Sequence, residues 1–253
     1  MSSVPETLAL IPARGGSKSI PRKNLVPVAG NPLIAYSIDH ALRSAYITRT
    51  IVSTDDAEIA EVARALGAEV PFLRPAELAS DESTDLEVFR HALEWLREKE
   101  GYVPELVVHL RPTGPVRRPA LIDAAIEKML QHPEAHSLRS VSAPIQTPYK
   151  MWSIVEDRLE PLLSLEGVGE SHSVSRQSLP RVWWQNGYVD VVRPATVLDL
   201  GLMAGTIVIP FIVREPIHEL DYAESIPAIE DAIARLERGE SPVIPNDPER
   251  HSV

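Results

Sequence analysis

The chain has 253 residues, 44% of them apolar and 24% charged, which suffices for one sizeable core and excludes disorder of the whole chain. It contains no cysteine, so disulfides, thiolate metal sites and a cysteine nucleophile are excluded, in keeping with a reducing compartment. A formal net charge of −11 argues against nonspecific binding to nucleic acid or anionic membranes, both of which need an excess of basic surface.

Residues 1–7 are polar with no apolar signal-peptide core, and no run approaches the roughly 18 apolar residues of a membrane span, so a cytoplasmic protein is expected. Residues 8–11 form an apolar run short enough for a buried strand, which stops at Pro12. A loop follows with Gly15, Gly16, Ser17 and the cations Arg14, Lys18, Arg22 and Lys23. Residues 1–30 thus hold four basic side chains against one acid, Glu6, in a chain that is acidic overall. Paired glycines let backbone N–H groups approach a ligand closely, and the cations supply charge for a polyphosphate. Neither G-x-x-x-x-G-K-[ST] nor G-x-G-x-x-G occurs, so a P-loop or a dinucleotide-binding turn is not supported.

Residues 31–45 carry Leu33, Ile34, Ile38, Ala41 and Leu42 on one helical face, with Pro32 in the first turn. Residues 50–52 read as a strand, and Ser53-Thr54-Asp55-Asp56 then caps a helix that runs through Leu66 and ends at Gly67. A short extended piece at 70–73 precedes Arg74-Pro75. Helices are expected at 83–98 and 119–131, with a strand at 106–110 between them. This alternation predicts a layered α/β domain with a mostly parallel sheet. The loops carrying Arg14, Arg74 and Arg111 would emerge at the carboxyl ends of its strands, where ligands of such sheets sit.

Beyond residue 138 the pattern changes to strands at 138–143, 149–155, 182–192 and 206–213. The Ser-, Gly- and Glu-rich segment 164–178 is too long for an ordinary loop, which suggests a functional excursion or an oligomer arm. A last helix is expected at 222–238. The tail from Gly239, with Pro242, Pro245 and Pro248, is expected to fray.

The spelling of residues 8–25, Leu-Ala-Leu-Ile-Pro-Ala-Arg-Gly-Gly-Ser-Lys-Ser-Ile-Pro-Arg-Lys-Asn-Leu, resembles the nucleotide-binding signature of the cytidylyltransferases that activate sialic acid and related nonulosonic acids, with Ser19 where a Gly is usual. The resemblance implies one domain with a three-layer Rossmann-like nucleotidyltransferase fold. It also implies a small inserted dimerisation subdomain near 140–182, in a homodimer. Arg14, Lys18 and Lys23 would hold the CTP triphosphate together with Ala13, Gly15, Gly16 and Ser17. Phe72-Leu73-Arg74-Pro75 and Asp81-Glu82-Ser83-Thr84 resemble the segment that closes over cytosine, which assigns Asn24, Arg74 and Ser83 to the base and nucleoside. Ser83 or Asp81 as a simple helix cap is the competing role.

Pro148-Tyr149-Lys150-Met151-Trp152, Arg176-Gln177-Ser178-Leu179-Pro180 and Gln185-Asn186-Gly187 resemble three further stretches of the family in order. They imply that Lys150 and Arg176 reach a neighbouring active site, and that Gln185 and Asn186 lie near substrate. His218-Glu219-Leu220-Asp221 stands in place of a pair of Mg²⁺-binding aspartates; the two carboxylates are expected on opposite sides of the extended chain, one binding directly and the other through water or after a local bend. For Asp221 the competing role is capping the last helix. Two departures stand out in His109-Leu110-Arg111-Pro112-Thr113-Gly114-Pro115: Gly114 where the family has Ser, and Arg111 where it has a Gln near the sugar acid, which implies that Arg111 is substrate-binding and changes the acceptor pocket or its contacts with phosphate. Asn186-Gly187-Tyr188-Val189-Asp190 is also less apolar than usual.

The implied reaction is transfer of CMP from CTP to a nine-carbon keto-sugar acid with release of pyrophosphate. Alternatives are a nucleotidyltransferase for a shorter ulosonic acid or a sugar 1-phosphate, and a non-catalytic nucleotide-binding protein on the same fold.

Overall fold

The structure, a computed structural model, describes residues 5–240. The expectations for residues 1–4 and for Pro242, Pro245 and Pro248 lie outside the described residues. In chain order the elements are β1 (Thr7–Pro12), β2 (Pro27–Val28), β3 (Asn31–Pro32), α1 (Leu33–Leu42), β4 (Arg49–Ser53), α2 (Ala57–Ala65), α3 (Asp85–Glu100), β5 (Leu106–His109), α4 (Pro119–Leu130) and β6 (Ser137–Ser142). Then follow β7 (Trp152–Val155), β8 (Arg158–Pro161), β9 (Trp184–Val192), α5 (Pro194–Leu198), β10 (Val208–Ile212) and α6 (Ile226–Glu237).

Six strands form one sheet in the order β10-β6-β9-β5-β1-β4, and β9 alone runs antiparallel to its neighbours β5 and β6. The strands are apolar on both faces because both faces are covered. Ala9, Ile11 and Val108 pack under Ile38 of α1, Ile59 of α2 and Ile126 of α4. Leu8, Leu10 and Val107 pack on the opposite side against Phe89 and Leu93 of α3 and Val197 of α5. Three layers result. A third cluster joins Ile20, Val28 and Leu33 to Leu220 and to Ile229 and Ile233 of α6, which pins the loop after β1 beside the stretch that ends in Asp221.

Several boundaries differ from the sequence-based expectation, each for a local reason. Asn31 and Pro32 pair with Val28 and Pro27 instead of opening α1, so Pro32 is an extended N-cap and the Tyr36 hydroxyl donates to the Val28 carbonyl at 2.6 Å. The helix expected from residue 83 begins at Asp85, because Thr84 and Glu87 form a reciprocal capping box. Ser83 and Asp81 are therefore not caps. Residues 70–73 form no strand, and only Glu69 bridges to Ile51. The strand expected at 149–155 opens with a 3₁₀ turn, Pro148–Lys150, and β7 then pairs with β8 in an unforeseen hairpin. A 3₁₀ turn, Ala223–Ser225, precedes α6, whose N-cap is Ser225. Asp221 therefore does not cap α6.

Candidate active site

The sheet order reverses around β1, since β4 follows it on one side and β5 on the other. That switch point leaves a crevice outside the carboxyl ends of the strands. A cleft of about 300 Å³ lies there, lined from one flank by Arg14, Gly16, Ser17, Lys23 and Asn24 and from the others by Arg74, Ser83, Asp85, His109 and Arg111.

The loop after β1 is held by its backbone. Ala13 N–H donates to the Ser53 carbonyl and Gly15 N–H to the Asp55 carboxylate, both at 2.9 Å. The Asn24 amide donates to the Arg14 carbonyl at 2.9 Å. A Cβ at Gly15 would stand 2.8 Å from the Asp56 carboxylate, so only glycine fits where the loop crosses the start of α2. Asp56 itself caps α2, accepting from Glu58 N–H and Ile59 N–H.

The cations around this loop differ in setting. Asp81 joins two of them, 2.9 Å from Arg14 and 2.6 Å from Lys18, and Arg14 also donates to the Ser80 carbonyl at 2.8 Å. Lys23 is largely buried and lies 3.5 Å from Asp221. Arg22 turns away to Asp56 and Glu58. Arg74 is 5% exposed, and its Nε and one terminal nitrogen make no hydrogen bond, with Asp55 at 3.8 Å the nearest acid. Burial first, then the Arg14 charge, lowers its pKa despite Asp55. A buried guanidinium with unused donors, facing a cleft, is a ready receptor for carbonyl or phosphate oxygen. Ser83 also lines the cleft, its hydroxyl donating to the Glu77 carbonyl at 3.1 Å.

At the far wall His109 is wholly buried, with both ring nitrogens lacking hydrogen-bond partners. Burial, followed by the charges of Arg111, Arg139 and Arg117, holds its pKa well below the ordinary value, so it is neutral. The loop beyond it is stapled by Arg117, fully buried, which donates to the carbonyls of Tyr188 at 2.5 Å, Arg111 at 2.8 Å and Gly114. A Cβ at Gly114 would lie 2.7 Å from that guanidinium, so the missing side chain leaves it room.

Glu219 and Asp221 stand beside this loop, since Leu220 N–H donates to the Thr113 carbonyl at 2.7 Å. The two carboxylates are near enough to act on one another, in keeping with residues two apart on extended chain sharing a side, which corrects the expectation that they point to opposite sides. Burial, then the Asp221 charge, raises the pKa of Glu219. Among the described residues no group of three or more acidic, His or Cys side chains could enclose a metal ion. A pair nevertheless suits Mg²⁺, which binds through one or two carboxylates and completes its shell with water and phosphate.

Lys150 and Arg176 do not line the cleft of their own chain. Arg176 donates to the Pro144 and Ile145 carbonyls at 2.8 and 3.0 Å. Gln185 lies 3.5 Å from Asp190. Asn186 is buried, donating to the Ser142 hydroxyl at 2.7 Å and accepting from Tyr188 N–H at 3.0 Å, so its amide serves the fold. Sequence reasoning missed the roles of Arg117, Arg139 and Asp190. A charged residue between apolar neighbours on a strand, as at Asp190, was the available signal.

Residues 8–159 match the family model described as cytidylyltransferase. The chain belongs to the cytidylyltransferase family. A pseudaminic acid cytidylyltransferase of Campylobacter jejuni is 40% identical over 127 residues, which is 50% of this chain and 54% of that one. A CMP-N,N'-diacetyllegionaminic acid synthase of Legionella pneumophila is 42% identical over 120 residues, 47% of this chain and 51% of the relative. The chain thus matches about half the length of both. A post-translational flagellin modification protein B of Campylobacter coli is 33% identical over 190 residues, 74% of this chain and 77% of that one. Among solved structures, a CMP:2-keto-3-deoxy-manno-octonic acid synthetase complexed with CTP superposes with a TM-score of 0.67 at 15% identity, covering 91% of this chain and 99% of the other, which shows a common fold.

Proposed function

We propose that this cytidylyltransferase-family chain transfers CMP from CTP to the anomeric hydroxyl of a nine-carbon nonulosonic acid. The oxygen of that hydroxyl forms a bond to the α-phosphorus, the bond from the α-phosphorus to the β-phosphate bridge breaks, pyrophosphate leaves and the hydroxyl proton passes to solvent. The observation that carries this reading is the cleft at the switch point, lined by Arg14, Lys23 and the buried, under-used guanidinium of Arg74, with Lys18 at its edge on Asp81. The names of the pseudaminic and legionaminic relatives support the acceptor class.

Little covalent work falls to the protein in such a transfer, so positioned charge dominates. Arg14, Lys18 and Lys23, with the backbone of residues 13–17, neutralise the triphosphate, which takes over the contacts now made by Asp81. Arg74, Ser83 and Asn24 bind the nucleoside. Asp221 and Glu219 would hold Mg²⁺, which supplies charge neutralisation at phosphate oxygens. We further propose a homodimer formed through residues 140–182, in which Lys150 and Arg176 serve the neighbouring cleft. Its support is the apolar surface of that arm, with Ile145, Ile154, Leu159 and Leu162 all exposed.

The test is pyrophosphate release from CTP and Mg²⁺ with a panel of pseudaminic, legionaminic and N-acetylneuraminic acids and a 3-deoxy-octulosonic acid. Release with at least one nine-carbon acid is expected. Release with the eight-carbon acid alone would overturn the acceptor class, and release with none would overturn the activity.

A further inference from the structure

Arg111 lines the cleft two residues beyond the end of β5, as do residues of the loop after β1. Its guanidinium is braced from behind, with one terminal nitrogen 2.9 Å from Asp190, which is 1% exposed. The same Asp190 oxygen also meets Arg139 at 2.9 Å. One buried carboxylate is thus shared by two guanidiniums, so Asp190 alone does not neutralise them. The backbone of Arg111 is fixed too, its carbonyl accepting from Ser37 at 3.1 Å and from Arg117 at 2.8 Å.

On the cleft side the other terminal nitrogen of Arg111 meets the Asp85 carboxylate at 3.3 Å, and that side chain is half exposed. A carboxylate therefore fits this edge of the guanidinium. The nucleotide has other cations in Arg14, Lys18 and Lys23, whereas a sugar acid brings an anion of its own that needs a partner within the cleft. Beside this edge His109 is neutral and presents no competing charge.

We propose that Arg111 is a specificity-determining residue that binds the acceptor's carboxylate, with Asp190 as the positioning residue that aims it and Asp85 exchanged for the ligand. The inference rests on the reading of the acceptor as a sugar acid. Charge-assisted hydrogen bonds of this kind make the acid at least about tenfold tighter than a neutral ester.

The experiment is calorimetric titration of the wild type, Arg111→Gln and Arg111→Lys with the free acids and the methyl esters of N-acetylneuraminic and pseudaminic acids, and separately with CTP. Arg111→Gln leaves Asp190 paired with Arg139, so the fold should survive, and a melting curve checks this. The expected result is an acid preference of about tenfold in the wild type, lost in Arg111→Gln and partly kept in Arg111→Lys, with CTP affinity unchanged within about twofold. No preference in the wild type, a preference that survives Arg111→Gln, or a loss confined to CTP would each overturn the assignment. Absence of CTP binding by the wild type would instead sink the proposed nucleotide chemistry, while the acid and ester titrations would still decide the role of Arg111.

Discussion

Lys18 and Lys23 differ sharply in side-chain exposure, 82% against 12%, and that difference ranks them. A desolvated cation at developing phosphate charge acts more strongly than one screened by water. Lys23→Ala should therefore lower kcat for pyrophosphate release by about 10²–10³-fold. Lys18→Ala should do much less, and melting temperatures should stay near wild type in both. Equal effects in steady-state kinetics would remove the ranking. Asp221 gives a second prediction: because Ser225 and not Asp221 is the N-cap of α6, both Asp221→Asn and Asp221→Ala should keep the wild-type melting temperature and lose Mg²⁺-dependent turnover. An active Asp221→Asn protein would exclude this carboxylate as a metal ligand. The cations of the first loop are legible in the sequence because they crowd one short stretch. Arg117 and Asp190 are not, since the meaning of a buried charge lies in partners 70 or more positions away, such as Tyr188 for Arg117 and Arg111 for Asp190.

At the scale of elements, α3 starts where Thr84 and Glu87 cap each other, and the same start carries Asp85 into the cleft. Thr84→Ala should cost about 1 kcal/mol in a denaturant titration, the usual penalty for a lost N-cap. The β7–β8 hairpin places Ile154 opposite Leu159, and both side chains are exposed. Substituting Asp at both positions should give a monomer by light scattering, and an unchanged dimer mass would remove this arm from the interface. Helix positions are readable from periodicity and caps. The hairpin escapes such reading because its turn, Glu156-Asp157, takes positive φ of 47° and 62° without the Asn-Gly or Asp-Gly spelling that normally marks it.

For the whole molecule, the alternation of strands and helices makes the layered α/β fold legible up to β5. The reversed direction of β9 is not, because strand direction follows from pairing and leaves no periodic trace. Two buried histidines tie stability to pH. Burial, then the charges of Arg117 and Arg43, lowers the His40 pKa to about 3, and His109 is also depressed. The unfolded chain therefore binds more protons below pH 6.5, so the stabilisation is complete above that pH and is lost as pH falls towards the folded-state values. His40 should remove roughly 2 kcal/mol between pH 6.5 and pH 5, and His109 adds a loss of the same sign. Melting temperature should drop over that interval, less steeply in His40→Gln, and a flat profile would contradict the burial. The central claim is nucleotidyl transfer from CTP, and ³¹P NMR of a complete reaction with Mg²⁺ and a nonulosonic acid tests it most directly. The account predicts that the three CTP signals give way to pyrophosphate and one phosphodiester signal in equal amounts of product, whereas CDP with inorganic phosphate, or no change, would contradict it.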